Sequence, residues 1–153
     1  TVDFGGGAVG IAGSQAQFVV RLAGIDGAHV WSRAFGGRWP DRGSAIALTG
    51  RGAVVVAGQF DGPVDFGGGP LWNGTPSIEA FVAALSTLDG SHVWSRRFTG
   101  QGGGEVALFG LAADPAGGLI ASGALWVSAD LGTGTLSSAG GLDVCVVSLA
   151  PLP

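Results

Sequence analysis

The sequence contains no lysine, methionine or tyrosine, and it has a single cysteine among 153 residues. All seven basic residues are arginine and the net charge is −4, so the basic surface that nucleic-acid binding requires is absent and no nucleic-acid partner is expected. Because Cys145 stands alone in a valine-rich run, a disulfide within the chain and a cysteine metal cluster are excluded, and we expect a buried thiol. No run approaches the roughly 18 consecutive apolar residues of a membrane span, so membrane insertion is not expected.

Glycine, by contrast, is abundant: 31 of 153 residues, about three times its usual share of about 7%. Because 46% of the residues are apolar, the glycines are expected to separate packed elements rather than to form a disordered linker. No segment has the sustained apolar period of a helix, whereas short β-branched or alternating runs bounded by Gly, Asp and Pro are typical of strands. The sequence therefore predicts an all-β fold.

Two motifs recur along the chain. Val-Asp-Phe-Gly-Gly-Gly at 2–7 returns at 64–69 and, degraded, at 129–134, and Val-Trp-Ser-Arg-x-Phe at 30–35 returns at 93–98. Two apolar, strand-like runs recur with matching shifts. Such self-similarity predicts a repeated structural unit, here of about 63 to 65 residues.

Each complete unit is predicted to contain four strands, which lie at 45–48, 53–60, 80–85 and 92–98 in the middle copy. We divide the chain into a partial first unit (1–35), a complete second unit (36–98) and a partial third unit (99–153) that lacks its last strand. In the strand at 92–98, alternation places Trp94, Arg96 and Phe98 on one face. An adjacent unit is needed to cover that face.

These motifs resemble the β-propeller repeats of large secreted or surface bacterial proteins, through the segments 64–71, 80–85 and 92–98. The resemblance implies four-stranded blades, an extracellular or cell-surface location and, in general, no assigned activity. Propellers close with about four to eight whole blades, whereas nine strands are predicted here, so we expect an incomplete ring. We also expect the chain to be a segment or processed product of a longer protein. The missing strands would then come from other blades of that protein or from other copies. The open edge at 144–149 leads us to expect self-association.

Most polar residues that could carry chemistry occupy repeat positions, and we interpret them as structural. His29 and His92 share one position, and a catalytic residue seldom needs a copy in every unit. The aspartates at 3, 65 and 130, and those at 26 and 89, precede glycines and are expected to bond turn backbones. Calcium-loop and phosphate-loop spacings are absent, so no metal, cofactor or catalytic residue is predicted. Asp41, Asp61, Glu105 and Asp114 have no like-charged counterpart in another unit.

The long connections are predicted at 36–44, 61–79, 99–107 and 126–143, all at one end of the units. Loops on a rigid scaffold concentrate binding residues, and Trp and Arg are frequent anchors of recognition. The binding candidates for a protein or glycan partner are Trp39, Asp41, Arg42, Trp72, Asn73 and Trp126. The alternative is that these tryptophans only cover the core beneath glycine-rich loops. Asn73 also fits a glycosylation sequon, although a turn is the expected interpretation.

The sequence thus leads us to expect a non-catalytic binding or structural module of a larger secreted or surface bacterial protein. One alternative is an architectural repeat of an extracellular assembly or filament. The other is a hydrolase or lyase completed by absent blades, which a perturbed titration of Asp41, Asp61 or Glu105 would favour.

Overall fold

The computed structural model describes residues 1–11, 15–72, 74, 77–132 and 134–150. All regular secondary structure in these ranges is β-strand. The all-β prediction is confirmed. The strands are β1 (Val2–Asp3), β2 (Ala8–Val9), β3 (Gln17–Leu22), β4 (His29–Phe35), β5 (Asp41–Leu48), β6 (Ala53–Asp61), β7 (Val64–Asp65), β8 (Pro70–Leu71), β9 (Ile78–Ser86), β10 (His92–Ala113), β11 (Leu119–Asp130) and β12 (Thr135–Leu149). The described residues contain no helix that could cross a membrane.

The largest sheet has six antiparallel strands in the order β5, β6, β9, β10, β11, β12. Its first four strands are consecutive neighbours and span the second unit. The strand β10 is shared, since its first part, 92–98, pairs with β9 and the rest pairs with β11. The hairpin of β3 and β4 forms a separate two-stranded sheet, as do β1 with β2 and β7 with β8. None of these sheets is closed.

Two of the predicted long connections, 99–107 and 126–143, are largely strand, so that prediction is wrong. The chain passes from the second to the third unit inside β10 through a bulge between Gln101 and Glu105. Gly102 and Gly103 adopt positive φ there, and a side chain at Gly104 would overlap the carbonyls of β11. The glycines at 102–104 therefore form a β-bulge that bends β10 while the strand stays in the sheet. Between β11 and β12 the described residues that lie outside strands are 131, 132 and 134.

The second unit is covered on both faces by its neighbours. We call its two faces the front (Val54, Val56, Phe60, Phe81, Leu85) and the back (Val55, Ala57, Ala80, Val82, Ala84). The front packs against Val19, Trp31 and Phe35 of the first unit in one apolar cluster. The back packs against Leu119, Ala121, Leu125, Cys145 and Val147, which form the front of the third unit. The back of each unit thus covers the front of the next.

Polar contacts hold the first of these interfaces in place. The indole N–H of Trp31 donates to the carbonyl of Thr87 at 2.9 Å, and the guanidinium of Arg33 donates to the carbonyl of Asp89 at 2.7 Å. Both acceptors lie in the turn between β9 and β10 of the second unit. The motif Val-Trp-Ser-Arg-x-Phe therefore supplies an apolar face together with donors that fix its position on the next unit.

The Val-Asp-Phe-Gly-Gly-Gly motif forms a small hairpin in the first two units, and its degraded third copy forms the turn between β11 and β12. The Oδ1 atom of Asp65 accepts hydrogen bonds from the backbone N–H groups of Gly67, at 2.7 Å, and Gly69, at 3.0 Å. Asp3 and Asp130 make the same two contacts with the glycines two and four residues later. The predicted turn-bonding role of these aspartates is confirmed, as it is for Asp26 and Asp89.

The two histidines make the local hydrogen bonds that a structural role predicts. His92 Nε2 lies 3.1 Å from Ser95 Oγ, and His29 Nε2 lies at the same distance from Ser32 Oγ. Each ring lies against its own glycine hairpin, so that a Cβ at Gly6 or Gly68 would overlap the imidazole. Cys145 is free and buried, as expected, and burial raises the pKa of its thiol.

Asp65→Ala is expected to lower the free energy of unfolding by about 1 kcal/mol, because two exposed hydrogen bonds to the hairpin backbone are lost. Asp65→Asn keeps the Oδ1 acceptor and should lose less. Urea unfolding midpoints of the three proteins check this order. Equal midpoints for wild type and Asp65→Ala would show that the carboxylate does not hold the hairpin.

Candidate functional site

Asp41 is a buried carboxylate at the first residue of β5. Its side chain is 3% exposed, and its Oδ2 accepts a hydrogen bond of 2.8 Å from the backbone N–H of Gly37. Burial raises the pKa of Asp41 to about 6, and the nearby charge of Asp61 adds to this, while the backbone amides of Gly37 and Asp61 act in the opposite direction. Within the described residues, Oδ1 has no hydrogen-bond partner. A buried carboxylate with an unpartnered oxygen lowers the free energy of unfolding at neutral pH, where it is charged.

The repeat shows that the fold does not require a carboxylate at this position. Asp41 pairs with Phe60 of β6 in the same way that Val106 pairs with Leu125 of β11. Phe60 and Leu125 occupy the same repeat position, and Val106 is as buried as Asp41. We call the contact between the first and second units the first interface, and that between the second and third units the second interface. A valine fills this position at the second interface, whereas Asp41 fills it at the first.

Gln17 is a second buried polar residue at the same interface. It pairs with Phe35 as Ala80 pairs with Phe98, so a glutamine replaces an alanine of the repeat. Its Nε2 is buried and has no hydrogen-bond partner among the described residues. The chain around it runs beside β5, because the backbone N–H of Asp41 donates to the carbonyl of Gln15 at 3.0 Å.

Gln17 was missed in the sequence analysis. The signal that could have found it is the alignment of the units, in which a glutamine stands opposite Ala80 and Val144 in an otherwise apolar strand. At the first interface, then, Gln17 and Asp41 occupy the positions that Ala80 and Val106 fill at the second.

Trp39 and Arg42 flank the buried carboxylate and reach the surface. The indole of Trp39 is half exposed and lies against Gly62, where a Cβ would overlap it. The guanidinium carbon of Arg38 lies 5.9 Å from the centroid of the same ring. Arg42 is exposed, with its Nε 3.4 Å from Gln15 Oε1. We call Gln17, Trp39, Asp41, Arg42 and Asp61 the junction site.

The remaining predicted candidates lie elsewhere or are not described. Trp72 directly follows β8 and is half exposed. Asn73 lies outside the described residues. Trp126 was predicted to lie in a loop, and this is wrong, because it is a residue of β11 paired with Glu105 and Leu142. It lies on the back of the third unit.

The other acids have local roles. Asp114 accepts a hydrogen bond of 2.9 Å from the N–H of Gly118 and so closes the turn between β10 and β11. Glu79 is almost fully buried in β9, with its Oε2 3.7 Å from a terminal nitrogen of Arg97. The sequence analysis did not single out this ion pair, whose only signal is an acid at the head of an apolar strand.

The junction site offers a carboxylate that holds a loop and, beside it, an aromatic surface with an arginine. Among the described residues no three His, Cys, Asp or Glu side chains are placed to hold a metal ion. Comparison of the sequence with models of known protein families gives no match, and comparison with curated protein sequences gives none either.

Proposed function

We propose that the chain is a run of β-propeller blades that serves as a non-catalytic binding or structural module of a larger secreted or cell-surface bacterial protein. The blades correspond to the units 1–35, 36–98 and 99–153. Support for the blade assignment comes from the antiparallel order β5, β6, β9, β10 within one unit, and from the packing of successive units back to front. A four-stranded sheet is the unit of a propeller blade.

The proposed contact surface is the junction site, with Trp39 and Arg42 as the residues that touch the partner. The observation that carries this assignment is the replacement of the apolar pair Ala80 and Val106 by Gln17 and Asp41, next to a half-exposed tryptophan. Buried polar atoms without hydrogen-bond partners lower stability, so we infer that this pair has a role beyond packing. Here Asp41 positions the connection 36–40 that carries Trp39.

A protein or a glycan would suit this surface. The face of an indole packs on the apolar side of a sugar ring or on an apolar side chain, and a guanidinium donates to hydroxyl, carbonyl or carboxylate oxygens. Asp41 itself is 3% exposed, so it contacts the ligand only through the loop that it holds.

A glycan microarray followed by calorimetric titration of the hits tests the glycan form of this proposal. Trp39→Ala is expected to weaken binding at least tenfold, because an aromatic anchor is removed from the centre of the surface. Trp126→Ala is the matched control, since that indole is equally exposed but lies on the back of the third unit. Hits that survive Trp39→Ala, or an array without hits, would rule out a glycan at this site.

A hydrolase or lyase is the second candidate function, because glycoside hydrolases use two carboxyl groups of which one has a raised pKa, and Asp41 has a raised pKa with the charge of Asp61 nearby. Burial argues against it, since a catalytic acid must reach the substrate and Asp41 is shut off from solvent. Turnover of chromogenic glycosides that is abolished in Asp41→Asn would favour the enzyme and overturn the non-catalytic proposal.

A further inference from the structure

The back of the third unit is an exposed apolar face. Ile120, Val144 and Val146 are 55%, 82% and 65% exposed, and Trp126 and Leu142 extend the same face along β11 and β12. The residues between them on this face, Ser122, Ala124 and Ser148, carry no charge. Contiguous exposed apolar surface of this kind marks a contact site.

The second unit shows what such a face contacts when it is covered. By strand pairing, Val55, Ala80 and Val82 occupy the positions of Ile120, Val144 and Val146, and all three are 0% exposed. They are buried because the front of the third unit packs on them. The same face is thus fully buried in one unit and open in the next.

The front of the first unit is also an exposed apolar face. Phe18 and Leu22 are 39% and 50% exposed, whereas their counterparts in the second unit, Phe81 and Leu85, are 0% exposed beneath the back of the first unit. The neighbouring positions on this face, Val20, Ser32 and Ala34, are uncharged. The central positions of both open faces are therefore uncharged, and Glu105, the strand partner of Trp126, lies towards one end of the back of the third unit.

We propose that two copies of this chain associate head to tail, with the back of the third unit of one copy packed on the front of the first unit of the other. The contact would bring together the same two kinds of face that pack between successive units within the chain. Because the two faces differ, the contact is heterologous, and copies can add in sequence until they close a ring or continue as a filament. This inference rests on the packing of the units and not on the junction site.

Sedimentation velocity of the 153-residue chain over a concentration series tests the proposal. Wild type is expected to associate with rising concentration. Val146→Glu on the back and Leu22→Glu on the front are each expected to weaken association at least tenfold, because either change places a charge in the contact. Ile25→Glu is the matched control, since Ile25 is exposed in a turn outside both faces and its replacement should leave association unchanged.

Mixing the two face variants gives the sharpest outcome. Val146→Glu keeps an intact front and Leu22→Glu keeps an intact back, so an equimolar mixture should form a one-to-one dimer and nothing larger. Both replaced side chains are at least half exposed, so the monomers should keep the wild-type melting temperature. Val144→Lys and Phe18→Lys serve as second variants of the same faces if a first one fails to fold.

Three results would overturn the proposal. A wild-type chain that stays monomeric at all concentrations has no such contact. Association that is lost in Val146→Glu but kept in Leu22→Glu indicates a symmetric contact, either back to back or through pairing of two β12 edges. A mixture that grows beyond a dimer also contradicts a contact made of these two faces. Ligand binding through Trp39 is measured separately on the monomeric variants, so a failure of either proposal is distinguishable from a failure of the other.

Discussion

Asp41→Asn is expected to raise the free energy of unfolding at pH 7 by about 3 kcal/mol and to leave it nearly unchanged at pH 4. The fold raises the pKa of Asp41 from 3.8 to about 6, so the folded protein binds this proton more tightly than the unfolded chain does. The stability that the proton contributes is fully present below about pH 4 and is lost as the pH rises through 6. Urea unfolding at pH 4, 5, 6 and 7 measures the effect, and wild type should become less stable across this range.

Two further variants separate the causes. Asp41→Val places the residue of the equivalent position, Val106, in the same register and should also remove the pH dependence. Asp61→Asn removes the minor, electrostatic cause and should leave most of the pH dependence in place, since burial is the larger one. A pH dependence that persists in Asp41→Asn, or a wild-type stability that is flat from pH 4 to 7, would contradict a buried carboxylate at the junction.

Phe66→Ala is expected to lower the free energy of unfolding by about 3 to 4 kcal/mol, the cost of a large cavity in a packed core. The ring of Phe66 is buried in the front of the second unit, with centroids 5.0 Å from Phe35 of the first unit and 4.8 Å from Phe81 of its own. It therefore contributes to the contact between units as well as to the hairpin that carries it.

Phe4→Ala is the matched control, because Phe4 has the same place in the hairpin of the first unit. Its ring makes one aromatic contact, with Phe18 at 6.0 Å, and it is only partly buried. We expect a loss of about 1 kcal/mol, in line with the smaller apolar area that it buries. Equal losses for the two variants in denaturant unfolding would mean that the first unit does not pack on the second.

The sequence predicted those features that depend on local chemistry repeated several times. The aspartates of the glycine hairpins could be assigned because each copy places the same carboxylate before the same glycines. Alternation in the strand at 92–98 likewise predicted that Trp94 and Phe98 need cover. Repetition makes such patterns readable without knowledge of the partner strand.

The features that were missed depend on which strands become neighbours. The glycines at 100–104 favour a loop and a bulge equally, and only the pairing of β10 with β11 decides for the bulge. The same pairing places Trp126 on a sheet face, whereas the sequence predicted a loop there. Asp41 was visible as an acid without a counterpart, but its burial follows from its place opposite Phe60 and beside Gly37.

The most direct test of the central claim, that the back of one unit covers the front of the next, is a nuclear Overhauser spectrum with selectively labelled phenylalanine rings. If the units stack in this way, Phe66 gives cross-peaks to both Phe35 and Phe81, whose centroids lie 5.0 and 4.8 Å away. The indole proton of Trp31, which is bonded to the carbonyl of Thr87, should also exchange slowly. A Phe66 ring that contacts Phe81 alone, together with a rapidly exchanging Trp31 indole, would show that the back of one unit does not cover the front of the next.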